Sequence, residues 1–224
     1  MNQKISACSL MMPNAKRQSQ SMKESKSRTQ EQRREESVYR MLQAAIELIA
    51  EKGVAGLTMA EVGIKAGYSR GLAHLHFGSK DKLLSECLRY LSRDFNVQRK
   101  KDGVDTTGIR GIYSLVDAYT RRPEDAVSRI RAMFFIVLDS SAADSPLYSF
   151  VHDYNEKNMA YAEFKLNEAK ALGQIKQDVD TRSAAFIIMS LLRGISVHRL
   201  NDPTMNALTV KEEILRMMHK WLAG

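Results

Sequence analysis

A chain of 224 residues, 44% of them hydrophobic, can bury the core of one domain or two small ones. Four prolines and an aromatic share of 7% favour helices over sheet, and no apolar run in the sequence approaches the ~20 residues of a membrane span. The formal charge of +8 favours an anionic partner such as nucleic acid, while two cysteines, Cys8 and Cys87, are too few for a disulfide framework.

No histidine–cysteine cluster has metal-ligand spacing, so neither a metal nor a cofactor is expected. The first residues lack a sustained apolar core, and a cytoplasmic protein is expected. Residues 1–32, rich in Ser, Gln, Lys, Arg and Met, read as a disordered basic tail. Lys16, Arg17, Lys23, Lys26 and Arg28 there suit either a solubilising segment or an arm along DNA phosphates.

A helical period begins at Arg33. Val38, Leu42, Ala45 and Ile49 recur on one face, and Gly53 closes the helix. Thr58 then opens a second, short helix, and Glu61 three residues on completes a capping box. Gly67 ends it. Ser69 is expected to cap a third helix whose first turns carry Arg70, Gly71 and His74, with Leu72, Ala73 and Phe77 turned inward. Two short helices joined by a Gly-containing turn form a helix-turn-helix layout, in which the second helix enters the major groove of a duplex. Ser69, Arg70, Gly71 and His74 would lie nearest the bases, with Arg70 the best candidate for pairing with guanine. Thr58, His76 and Lys80 would hold phosphates.

Ser79 caps a fourth helix with Leu83, Leu84, Leu88 and Leu91 on its apolar face and Lys80 at its start, a phosphate-binding corner. It runs towards Asp102-Gly103. Five further helices follow in 107–224. Asp144 or Ser145 is expected to cap the third of these, and Thr209 with Glu212 the last. Tyr113, Met133, Phe134, Phe150, Tyr154 and Asn158 are candidate walls of a small-molecule pocket, with His152 or Arg129 able to orient a polar ligand. Side chains of this kind at helical spacing also simply pack. The last two helices are apolar round much of their circumference. Ala185, Ile188, Leu192, Ile195, Leu215, Met218 and Leu222 are expected to pair two copies of the chain in a four-helix bundle.

The run 57–84 resembles the DNA-binding signature of tetracycline-repressor-like (TetR-family) regulators. It supplies Thr58, Gly67-Tyr68-Ser69, His76-Phe77 and Lys80, and departs at Gly63, Tyr68 and His74, where Ala, a small aliphatic and Tyr are usual. The resemblance implies the phosphate role of Lys80 and a dimer contact at the last two helices. The expected fold is all-α: a three-helix DNA-binding domain (33–78), a connecting helix (79–103) and a helical ligand-binding and dimerisation domain (104–224). The expected function is a repressor that binds a palindromic operator as a homodimer and is released by a small-molecule inducer. A helical adaptor that binds protein alone, or an enzyme built on a helical bundle, are the alternatives. No nucleophile–base pair, Gly-rich phosphate loop or carboxylate–His spacing points to the enzyme.

Overall fold

The computed structural model describes residues 29–101, 105–120, 126–202 and 204–223, with side chains outside 96–101. The expectations for the tail over 1–28, for Cys8 and for a helix end at Asp102-Gly103 fall outside the described residues. Among the described residues there are nine helices and no strand. They are α1 (Gln30–Lys52), α2 (Met59–Lys65), α3 (Leu72–Phe77), α4 (Lys80–Lys101), α5 (Ile109–Thr120), α6 (Ala126–Asp139), α7 (Tyr148–Ala171), α8 (Thr181–Asn201) and α9 (Ala207–Leu222).

The chain divides into two compact units, Met1–Glu36 and Ser37–Gly224. Within the first, a reciprocal cap opens α1 three residues before the expected start. Thr29 Oγ1 accepts from Gln32 N at 3.2 Å, and Gln32 Oε1 accepts from Thr29 N at 3.0 Å. Two orphan backbone donors are thereby satisfied.

The second unit holds two hydrophobic cores. One is built from α1, α2, α3 and the first half of α4, and continues into Ala132 and Ile136 of α6 and Leu147 and Val151 at the start of α7. The other joins α5, the end of α7, α8 and α9 around Ile112, Leu166, Ile188, Leu192 and Met218. The first core therefore does not stop at residue 78, where the sequence places the edge of the head. Polar ties reinforce the second core: Lys211 Nζ lies 2.5 Å from Asp117 Oδ1, Arg199 Nη1 donates to Thr120 O at 2.7 Å, and Lys176 N donates to Leu222 O at 2.9 Å.

By length and composition alone, helix α8 is long and apolar enough to cross a membrane, although Ser190, Arg193 and Ser196 interrupt its apolar run. Ala184, Ala185, Ile188, Met189 and Leu192 are buried along one side of it, as in a core helix. Asp180 caps it, accepting from Ser183 N at 2.7 Å, and that bond holds the Asp180 carboxyl below its ordinary value.

Two expected caps are different in the structure. Helix α7 begins at Tyr148, and its N-cap, Leu147, makes no side-chain capping bond. Ser145 Oγ accepts from Leu147 N at 3.3 Å, so Ser145 closes the preceding turn and Pro146 stands ahead of the helix. Helix α9 starts two residues before Thr209, because Asn206 Oδ1 accepts from both Leu208 N and Thr209 N, at 3.1 and 3.2 Å. We expect Asn206→Ala to lower the unfolding free energy by about 1 kcal/mol, and Thr209→Ala by a few tenths at most. Urea unfolding of the two variants checks this.

Candidate nucleic-acid interface

The short helices of the head are held by pairs that the sequence places far apart. Thr58 is extended (φ −122°, ψ 145°), and its Oγ1 accepts from Glu61 N at 3.3 Å. Its hydroxyl proton goes to Glu61 Oε2 at 2.7 Å, and Lys52 Nζ donates to Glu61 Oε1 at 2.6 Å. Only one backbone donor is capped, because the Glu61 carboxylate serves Thr58 Oγ1 and Lys52 instead of reaching back to the main chain. The Lys52 and Thr58 bonds keep the Glu61 carboxyl below the ordinary glutamate value. Thr58 has one hydroxyl proton and it is engaged here, so the expected phosphate contact by this side chain has no donor left. Lys65 bridges Glu47 and Glu51 of α1, at 3.3 and 2.8 Å, which fixes α2 on α1.

The turn after α2 depends on two glycines. Gly67 takes φ +83°, a left-handed conformation cheap only for glycine, and Tyr68 N donates to Gly63 O at 2.8 Å. A Cβ on Gly63 would come closer to the carbonyl oxygen of Ser69 than real side chains approach. The turn thus lies directly on α2, and Gly63, which departs from the family pattern, is what lets it.

This close return also moves the start of α3. Its N-cap is Gly71 and makes no side-chain bond, and the helix begins at Leu72, whose N donates to Ser69 O at 3.1 Å. Ser69 is therefore not the cap, and Arg70 and Gly71 stand in the turn ahead of the helix. Ala73 and Phe77 are buried in the first core and Leu72 packs against it. Ser69, Arg70, Gly71 and His74 are all exposed. Among the described residues the side chains of Arg70 and His74 have no hydrogen-bond or ion-pair partner, in contrast to those of Lys52 and Lys65. His76 is half-buried, with Nε2 3.4 Å from Ser37 Oγ, a link to α1 that leaves less of the ring for phosphate.

Ser79 caps α4 as expected, its Oγ accepting from Lys82 N at 3.2 Å. Lys80 lies at the first position of this 22-residue helix, half-buried, where the backbone presents unsatisfied donors. Leu83, Leu84, Cys87, Leu88 and Leu91 anchor the helix in the first core. Burial pushes the Cys87 thiol far above its ordinary value.

Of the six candidate pocket residues, Met133, Phe150 and Tyr154 come together against the first core. Tyr154 Oη donates to Met133 Sδ at 3.3 Å, and the Arg89 guanidinium of α4 sits 4.9 Å from the centre of the Phe150 ring. Asn158 turns its amide to the backbone, donating to Tyr154 O at 2.8 Å. Tyr113 and Phe134 are half-buried but belong to neither core cluster. Arg129 is paired with Asp94 of α4 at 3.4 Å, and His152 stacks on Tyr148 at the surface.

The expected pairing face is corrected. Ala185, Ile188, Leu192, Ile195, Met218 and Leu222 are buried in their own chain, and Leu215 packs half-buried beside them. Six of the seven line the inner sides of α8 and α9, turned into their own chain. The exposed apolar residues of these helices are Phe186, Ile187 and Val197 on α8 and Leu208, Met217 and Trp221 on α9. A Cβ added to Gly194 would meet nothing within 4 Å, so the outer side of α8 is open there.

Residues 41–87 match the model of the bacterial regulatory proteins of the tetR family, a stretch that runs from α1 through the turn and α3 into α4. This stretch is similar to the DNA-binding segment of TetR-family regulators. The chain is 32% identical over 92 residues to the HTH-type transcriptional regulator BetI of Brucella abortus (strain 2308), covering 39% of this chain and 46% of BetI. The chain thus spans about half the length of that curated relative. A match to the HTH-type transcriptional regulator SrpR of Pseudomonas putida is longer and weaker, 21% identical over 178 residues, covering 79% of this chain and 81% of SrpR. Among solved structures, a transcriptional regulator from Saccharomonospora viridis in complex with choline superposes with a TM-score of 0.72 at 18% identity, covering 85% of this chain and 99% of that one. That likeness reaches the fold.

Within this TetR-like head, the two glycines at 63 and 71 are opposites. Gly71 has an ordinary φ of −86° and open space where a Cβ would stand. Gly63→Ala should lower the unfolding free energy by about 1–3 kcal/mol, as overpacking against a fixed neighbour does. Gly71→Ala should leave it within about 0.5 kcal/mol of the parent. Thermal unfolding of both variants tests the contrast.

Proposed function

We propose that the protein is a ligand-responsive, DNA-binding repressor that acts as a homodimer in the bacterial cytoplasm. The observation that carries this is the state of α3 and the turn before it. One side is fixed in the core through Ala73 and Phe77, while the side chains of Arg70 and His74 stand exposed with no partner among the described residues. A rigid, cationic edge one helix wide suits the major groove. Arg70 would read a base edge, with Ser69, Gly71 and His74 close to it. Lys80 and the backbone donors at the start of α4 would take phosphate.

Dimer formation would use the exposed side of α8 and α9, through Phe186, Ile187, Val197, Met217 and Trp221, with Ser190 and Gly194 allowing close approach. Two copies paired there would present two reading heads to a palindromic site. An inducer held near Met133, Phe150 and Tyr154 would act where α6 and α7 meet the first core. The Arg89–Phe150 and Arg129–Asp94 contacts join that place to α4. A ligand that prefers a different setting of α6 and α7 would shift α4, and with it the head.

Footprinting on the DNA beside the protein's own gene tests the reading directly. Arg70→Ala should lower operator affinity by roughly 1–3 kcal/mol with a smaller effect on random duplex, and affinity should fall steeply with salt. Protection that is absent, or insensitive to salt, contradicts the proposal. Phe186→Glu should yield a folded monomer in sedimentation, with operator binding lost. A dimer of unchanged strength would move the interface elsewhere.

A further inference from the structure

Leu75 has no role in the fold, although it lies on the element best fixed by the fold. Successive residues of an α-helix are about 100° apart, so a residue two places from Ala73 and two from Phe77 faces away from both. Ala73 and Phe77 are in the core, and Leu75 is 80% exposed, more than any other large hydrophobic residue among those described. A single leucine on a protein surface is ordinary. This one stands at the middle of a six-residue helix, next in sequence to His74, whose exposed side chain has no hydrogen-bond or ion-pair partner among the described residues. The head has two other exposed large apolar residues. Tyr39 packs edge-on against Tyr90, and Ile64 belongs to α2.

A cationic edge with one aliphatic side chain at its centre matches a major groove in a specific way. Each base pair shows donors and acceptors there, but thymine alone adds an apolar group, the 5-methyl. Leucine offers no hydrogen bond to a base edge, so it gains only where it covers that methyl and loses where it strips water from a polar edge. We infer that Leu75 is a specificity-determining residue that reads the 5-methyl group of one thymine in each half-site. This rests on the DNA-binding function proposed above and adds a base preference to it. Arg70 and Leu75 have separate roles: the guanidinium reads acceptors, and the isobutyl group reads the one carbon substituent.

Deoxyuridine in place of thymidine removes that methyl and nothing else. The full chain is first used to select its preferred duplex from a random pool. Each thymine of the selected site is then replaced singly by deoxyuridine, and affinities are measured for the parent, Leu75→Ala and Leu75→Met. For the parent, one thymine per half-site should lose about fourfold on replacement, the worth of one buried methyl, and roughly fifteenfold when both half-sites are changed. Leu75→Ala should bind thymine and uracil duplexes alike at that position while keeping its response to every other replacement. Leu75→Met should retain the preference. Leu75→Ala is expected to melt with the parent, since the side chain is outside the core. If the thymine-to-uracil losses are the same in Leu75→Ala as in the parent, or if no thymine is sensitive, the assignment of Leu75 is wrong while DNA binding stands. If no duplex is selected over the pool, the DNA-binding function fails and this inference with it. A change in oligomeric state on Leu75→Ala, with the uracil response intact, would mean that the leucine meets a protein instead.

Discussion

The head depends on the burial of two side chains, Ala73 and Phe77, from a helix of six residues. A helix that short has no stability of its own in water, where about 12–15 residues are marginal. It exists because α1 and α4 supply a core on which it can rest, and because the turn before it is locked to α2. Lys65 and Lys52 pull α2 onto α1 through Glu47, Glu51 and Glu61, and the missing side chain at Gly63 lets the turn return over α2. The outer side of α3 is then free to be polar, cationic and exposed, because nothing on that side is needed to hold it.

The same core reaches past the head. Leu88 and Leu91 of α4 share it with Ala132 and Ile136 of α6 and with Leu147 and Val151 of α7. A change in how α6 and α7 pack is therefore a change in the bed of α4. Core packing is not continuously deformable, which favours discrete settings of α4 over graded ones. The second core around α5, α8 and α9 is a separate cluster, and α7 contributes its start to the first core and its end to the second.

Most of the helical outline was legible in the sequence, because amphipathic periods, Ser79 and the glycines at 53 and 67 mark it locally. What escaped was decided at a distance. Ser69 has the chemistry of a cap, but the contact between Gly63 and the turn places its carbonyl, not its hydroxyl, at the start of α3. Asn206 competes with Thr209 as a cap, and the sequence holds both. On α8 and α9 the apolar residues run nearly all round, so the pattern could not say which side faces α5 and α7. Leu75 carried a usable signal: once Ala73 and Phe77 are assigned inward, the residue between them must face out. The expected pocket was half legible, since Met133, Phe150 and Tyr154 meet and Tyr113 and Phe134 do not join them.

The ion pairs of α1 and α2 bear on how the head would meet a polyanion. Lys52 and Lys65 are each matched by carboxylates on the same surface, so at a distance this flank presents little net field. Attraction would come from Arg70 and Lys80 on the neighbouring edge. A charge distribution so lopsided acts as a torque on approach. It would turn the molecule edge-on to a duplex before contact, so that fewer collisions arrive with the wrong side forward.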